Sequence, residues 1–223
     1  TRDGVLTSTT ATAAAALPKA GGTMTGNLAT AGISAVTAGT SNFVAGVNAG
    51  NSITSGGNYN TVVGDEAGTA ITTGGFNTAL GYAALDANTT GTANHAIGTS
   101  SLTNNTTGSN NTSVGSGSLY NNTTASNNTA VGYTSLAANT TGTSNTAVGY
   151  NALNDNTTGA DNTVLGYGAL SASITSSNNT AVGSLALLSS TTGAFNTATG
   201  WEALRNNISG DFNTATGIQA LKN

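Results

Sequence analysis

The sequence has no cysteine, one proline, one histidine and one tryptophan, and only 5% of its 223 residues are charged. Without cysteine there is no disulfide framework and no thiolate metal site, and His95 alone cannot assemble a histidine metal centre within one chain. Basic residues are confined to Arg2, Lys19, Arg205 and Lys222. Phosphate recognition draws on clustered Lys and Arg, so nucleic acid is excluded as an expected partner. Aromatic residues make up 5% of the chain, too few for a large aromatic core. No apolar run approaches the roughly eighteen residues that cross a bilayer, and no signal peptide is visible. Neither membrane insertion nor a cofactor is expected.

What the chain has in abundance is order of one kind. Ten glycines recur at seventeen-residue intervals from Gly64 to Gly217, with no insertion or deletion. Counted from the invariant asparagine that begins each unit (Asn60, Asn77 and so on to Asn213), the consensus reads N-T-A-V-G-Y-x-A-L-x-x-N-T-T-G-x-x. Composition rich in Thr, Asn, Gly, Ser and Ala ordinarily suggests disorder, but a locked period argues for stacked structural units. Seventeen residues are about half of what a paired-helix repeat needs, and helix-forming charge is almost absent. Short strands remain. Thr146 to Tyr150 carry β-branched and aromatic types, flanked by Gly and Asn that supply turns.

The expected fold class is therefore all-β: a parallel β-solenoid, or β-roll, of seventeen-residue coils. Adjacent coils lie about 4.8 Å apart, giving about 48 Å for ten coils, and equivalent positions form ladders along the axis. Leu at position nine and Val at position four are expected to bury an apolar stripe. Small residues at positions three, five and eight let backbone approach backbone, within a thin coil or against another chain. The invariant Asn is read as a structural ladder whose amides bond each other and turn backbone. So thin a coil buries little apolar area per residue. A homotrimer, with the small-residue columns facing a common axis, is the simplest remedy.

Three regions are expected: an amino-terminal fibre or linker segment (1–41), an atypical capping repeat (42–59) and ten repeats (60–223). The chain begins with Thr1 and stops inside its tenth unit, so it is expected to be part of a longer polypeptide. Within the first region, Leu17-Pro18-Lys19-Ala20-Gly21-Gly22-Thr23-Met24-Thr25-Gly26-Asn27-Leu28 closely resembles the LPKxGGTMTGxL element of bacteriophage tail fibres and related fibre proteins. The repeats resemble arrays in long phage-type fibres and adhesin-like surface proteins. They are also similar to the β-roll heads of trimeric autotransporter adhesins, whose unit is shorter and reads like N-S-V-A-I-G. The resemblance implies a homotrimeric protein borne on a virion tail, an extracellular particle or a bacterial surface. Its implied partners are copies of itself, baseplate or other tail proteins, and a host cell-surface glycan or protein.

Candidate chemistry is sparse. Glycosidase carboxylates stand roughly 5 to 10 Å apart. Glu66 and Glu202 share a register but lie eight coils apart, on the order of 38 Å, while Asp155 and Asp161 have no aromatic sugar platform beside them. No enzyme is expected, and His95 reads as drift in a Thr column; three copies ringing a trimer axis are the one metal-binding alternative. Tyr82, Tyr133, Tyr150, Tyr167 and Trp201 recur at position six. They either pack between chains, the preferred reading, or lie exposed and stack on host glycans. Variation concentrates at positions seven, ten, sixteen and seventeen, where Asn151, Asn154, Ala160 and Asp161 are candidate partner-facing residues. The Thr-Thr pairs (Thr89 with Thr90, Thr140 with Thr141) raise an ice-binding face, although the Gly after them suggests a corner. The expected function is a non-enzymatic shaft and receptor-binding segment of a trimeric tail fibre. A bacterial surface adhesin and, behind it, an ice-binding solenoid are the alternatives.

Overall fold

The computed structural model describes residues 33–34 and 39–223. The LPKAGGTMTGNL element lies outside them. Each unit contributes one three-residue strand at positions two to four, from β3 (Thr61–Val63) through β8 (Thr146–Val148) to β12 (Thr214–Thr216). Preceding them are β1 (Ile33–Ser34) and β2 (Phe43–Ala45). Strand follows strand in one sheet in chain order, β2 to β12 all parallel. The register is that of the sequence period: Thr146 faces Thr163, Ala147 faces Val164 and Val148 faces Leu165. This is a parallel β-solenoid of about ten seventeen-residue coils, with no helix among the described residues. β1 pairs antiparallel with β2, so the first coil strand, β2, is covered and β1 forms that edge of the sheet.

Strands this short cannot carry the coil, and the ladder continues through the turns. The amide of Gly81 donates to Val63 O at 2.8 Å, that of Leu85 to Ser101 O at 3.0 Å and that of Thr89 to Thr106 O at 2.8 Å. Different segments of one coil thus bond backward or forward along the axis, which satisfies turn backbone that would otherwise be costly to bury. The expected strand Thr146 to Tyr150 ends at Val148, because Gly149 turns the chain at a φ of 137°.

The core lies inside each coil of the single chain. In the coil that begins at Asn145, Ala147, Ala152 and Leu153 are fully buried, as are Asn145 and Asn156. The small residues at positions three and eight therefore face inward, so the expectation that they line a common trimer axis is corrected. Position four is corrected too. Side chains alternate across a strand, and with position three inside, positions two and four point out. Val131 and Val148 are half-buried, while Leu80 and Leu165 are 46% and 49% exposed.

Positions seven, nine and seventeen of each coil adopt left-handed backbone conformations, held by a glycine in some coils (Gly68, Gly117, Gly168) and by ordinary residues in the rest; in this coil they are Asn151 (φ 52°), Leu153 (φ 51°) and Asp161 (φ 58°). The conformation costs an L-residue about 1 to 2 kcal/mol. At position nine that cost is set against roughly 1.5 to 3 kcal/mol for burying a leucine side chain, which explains why Leu rather than Gly holds the column. At positions seven and seventeen no core is gained. Gly, Asn, Asp and Ser hold these positions in several coils and tolerate the conformation well, while Phe76, Phe195, Phe212, Thr134 and Leu185 adopt it in others.

Candidate functional site

The most continuous feature of the surface is apolar. Position four supplies a column of Val, Leu and Ile on the outer face of the sheet, flanked by the Thr column of position two. Position six, just past the Gly turn, adds exposed aromatics: Tyr82 51%, Tyr133 53%, Tyr150 46%, Tyr167 57% and Trp201 47%. Because equivalent positions repeat at the coil spacing, the rings of the three consecutive coils that carry one meet face to face. Tyr133 and Tyr150 stack at 5.3 Å between centroids with planes 16° apart, and Tyr150 and Tyr167 at 5.3 Å and 10°. Trp201 stands beyond Ser184, and Tyr82 is separated from Tyr133 by Thr99 and Ser116.

Tyr82 has a different neighbourhood. The neighbouring Glu66 carboxylate, first through hydrogen bonding and then through its charge, with smaller effects of burial, Asp65 and Asp86, raises the pKa of Tyr82 above the usual tyrosine value. Glu202, in the same register as Glu66, is nearly buried; it accepts a hydrogen bond from Gln219 Nε2 at 2.9 Å and pairs with Lys222 Nζ at 2.7 Å, while Arg205 Nε stands 3.5 Å away as an ion pair without a hydrogen bond. Hydrogen bonds from Lys222 and Gln219 hold its pKa below the ordinary carboxylate range, with charge from Lys222 and Arg205 adding to them.

The remaining candidates divide. Asn151 and Asn154 both turn back to the preceding coil: Thr134 Oγ1 donates to Asn151 Oδ1, and Asn154 Nδ2 donates to Thr134 O at 2.7 Å. These two side chains join coils rather than projecting freely. Asp161 is exposed, as is Asp155; Ala160 is half-buried, and its amide donates to Ser177 Oγ at 3.0 Å. His95 is exposed in its strand between Thr78 and Thr112. No group of three or more His, Cys, Asp or Glu gathers among the described residues. The Thr-Thr pairs sit at a bend, and the first hydroxyl of each turns to backbone, as Thr89 Oγ1 does to Thr106 O at 3.0 Å.

Two features escaped the sequence reading. Position seventeen carries further stacks, Tyr59 on Phe76 and Phe195 on Phe212, both at 5.0 Å; their shared column was the available signal. The other is a second buried asparagine ladder at position twelve, in which Asn105 Nδ2 donates to Asn88 Oδ1 at 2.8 Å and to Gly108 O at 3.0 Å. Together these surfaces offer planar rings, hydroxyls and an apolar sheet face. Comparisons with models of known protein families, with curated proteins and with solved structures find no match.

Proposed function

We propose that this chain is a structural shaft and host-receptor-binding segment of a homotrimeric phage or phage-like tail fibre. The observation that carries the reading is the position-four column: a solenoid whose own core is complete still turns a row of Val, Leu and Ile outward along its sheet. Apolar surface of that extent favours association, and a charge-poor face lets like copies approach without repulsion. A closed rod of uniform coils suits a shaft, and its exposed rings suit adhesion. The LPKAGGTMTGNL resemblance supplies the particle. Ice binding draws less support, since the first threonine of each pair spends its hydroxyl on the next coil's carbonyl.

Electron microscopy of the intact assembly, with an antibody fragment against residues 60–223, tests the assignment. Label along fibres that project from a tail-like particle is the expected result. Label on a cell envelope without a particle transfers the chain to the surface-adhesin reading and overturns the tail-fibre one.

A further inference from the structure

The stacked aromatic column at position six has a one-residue gap. Tyr133, Tyr150 and Tyr167 form a continuous stack at 5.3 Å per step, the next coil places Ser184 in that column, and the coil after it places Trp201. Tyr167 and Trp201, 57% and 47% exposed, therefore stand two coils apart, about 10 Å at the usual strand spacing of about 4.8 Å. One ring inserted over Ser184 would lie about 5 Å from each neighbour, the separation the tyrosines already keep. The wider interruption between Tyr82 and Tyr133 spans three steps, about 14 Å, too far for one ring to touch both sides.

We infer that the slot between Tyr167 and Trp201 over Ser184 binds one pyranose ring of a neutral glycan. The negative faces of both aromatic rings attract the C–H groups on the two sides of a sugar. The Tyr167 phenol, the Trp201 indole N–H and the Ser184 hydroxyl supply hydrogen-bonding groups for hydroxyls at the sugar's edge. Charge decides the class. Beside Trp201 in the sequence, Glu202 is engaged by both Lys222 and Arg205, so its carboxylate is not free to select a cationic sugar and both cations are turned to it rather than to an acidic one. An aromatic side chain of a protein receptor has the same thickness, but it would leave these polar groups without partners. This inference rests on the receptor-binding part of the proposed function and names the ligand class and the place.

Trp201 is the only tryptophan, so its fluorescence reports on this slot alone. The full chain is titrated with methyl glycosides of glucose, galactose, mannose and N-acetylglucosamine, and with the corresponding chitin and cello-oligosaccharides. A saturable change in emission with at least one of them is expected. Ser184→Tyr fills the gap with a ring of the column's own kind, and it should weaken that binding roughly tenfold or more with an unchanged thermal transition. No saturable change with any probe, or the same affinity in Ser184→Tyr, overturns the inference. Adsorption of labelled chain to host cells separates the receptor classes. Loss after periodate supports the glycan, whereas loss after protease with survival of periodate treatment overturns it in favour of a protein. Imaging is independent of these results: a labelled fibre without sugar binding removes only the slot, and sugar binding without a particle removes only the fibre.

Discussion

Asn145 Oδ1 accepts both the main-chain N–H of Asn162, at 3.1 Å, and the side-chain amide of the same residue, at 3.0 Å, while its own Nδ2 donates to Gly159 O at 2.8 Å. One side chain thus closes its own coil and locks the next one in register. Asn145→Ala would leave the main-chain N–H of Asn162 buried without its partner, at roughly 1 to 3 kcal/mol, while Asn162 Nδ2 keeps Ser176 O and the Gly159 carbonyl keeps Asn156 Nδ2. A loss of about 1 to 3 kcal/mol in chemical denaturation is expected, and a stability equal to that of the unaltered chain would show that the ladder is incidental.

The position-twelve ladder contains a natural break. It runs from Asn88 to Asn156 and stops where the next coil has Ser173, and Asn156 Oδ1 is buried with no partner. Ser173 instead bonds Ser176 through their hydroxyls. The double change Ser173→Asn with Ser176→Gly restores the Asn-x-x-Gly arrangement of the neighbouring coils and gives Asn156 Oδ1 a donor. It should raise stability by about 1 to 2 kcal/mol. A destabilised protein would contradict this account of the orphaned oxygen.

Glycine at position five answers to a close approach as well as to its φ. A Cβ on Gly149 would lie 2.5 Å from Gly166 O and 2.7 Å from its carbonyl carbon, both backbone atoms that cannot swing aside. Gly149→Val should therefore separate coils and lower the thermal transition of the whole array. Leu153→Ala removes side-chain volume from a fully buried site and should cost about 2 to 5 kcal/mol. Thermal melts followed by circular dichroism compare them; equal tolerance of both changes would mean that the core lies elsewhere.

Glu202 makes the last coil sensitive to acid. Its pKa is lowered in the folded chain from 4.5, so the stabilisation is present above the unfolded value and disappears as pH falls through the folded one. The amide of Gln219, bonded to Trp201 O at 2.8 Å, should lose hydrogen-exchange protection over that fall while Gly149 keeps its own. Glu202→Gln should abolish the difference. Protection at Gln219 that ignores pH would contradict it.

The period, the parallel coils and the glycine column were legible because a backbone that nearly touches the next coil permits one residue type and no change of spacing. The first asparagine ladder was legible for the same reason. The second was not, since Ile71, Ser173 and Ser190 break its column and Asn-Thr-Thr-Gly reads as an ordinary turn. Val148 was misplaced inside because its type was weighed before its parity: in a three-residue strand between two turns, Ala147 and Val148 cannot both face the core, and a coil this thin takes the smaller one. Nothing in the pattern shows Leu153 at a positive φ, because the cost is borne by the backbone and the side chain still enters the core. The aromatic column was visible as recurrence at position six, but the stacking of its rings and the gap at Ser184 required the coil spacing.

The central claim is that the outward apolar column is buried between copies of the chain. Sedimentation equilibrium of residues 1–223, beside the variant with Val131→Asp and Val148→Asp, tests it most directly. The account predicts a trimer of the 21.5 kDa chain that the double variant dissociates, with the coils' circular dichroism retained. A wild-type chain that sediments as a 21.5 kDa monomer and still melts cooperatively would contradict it.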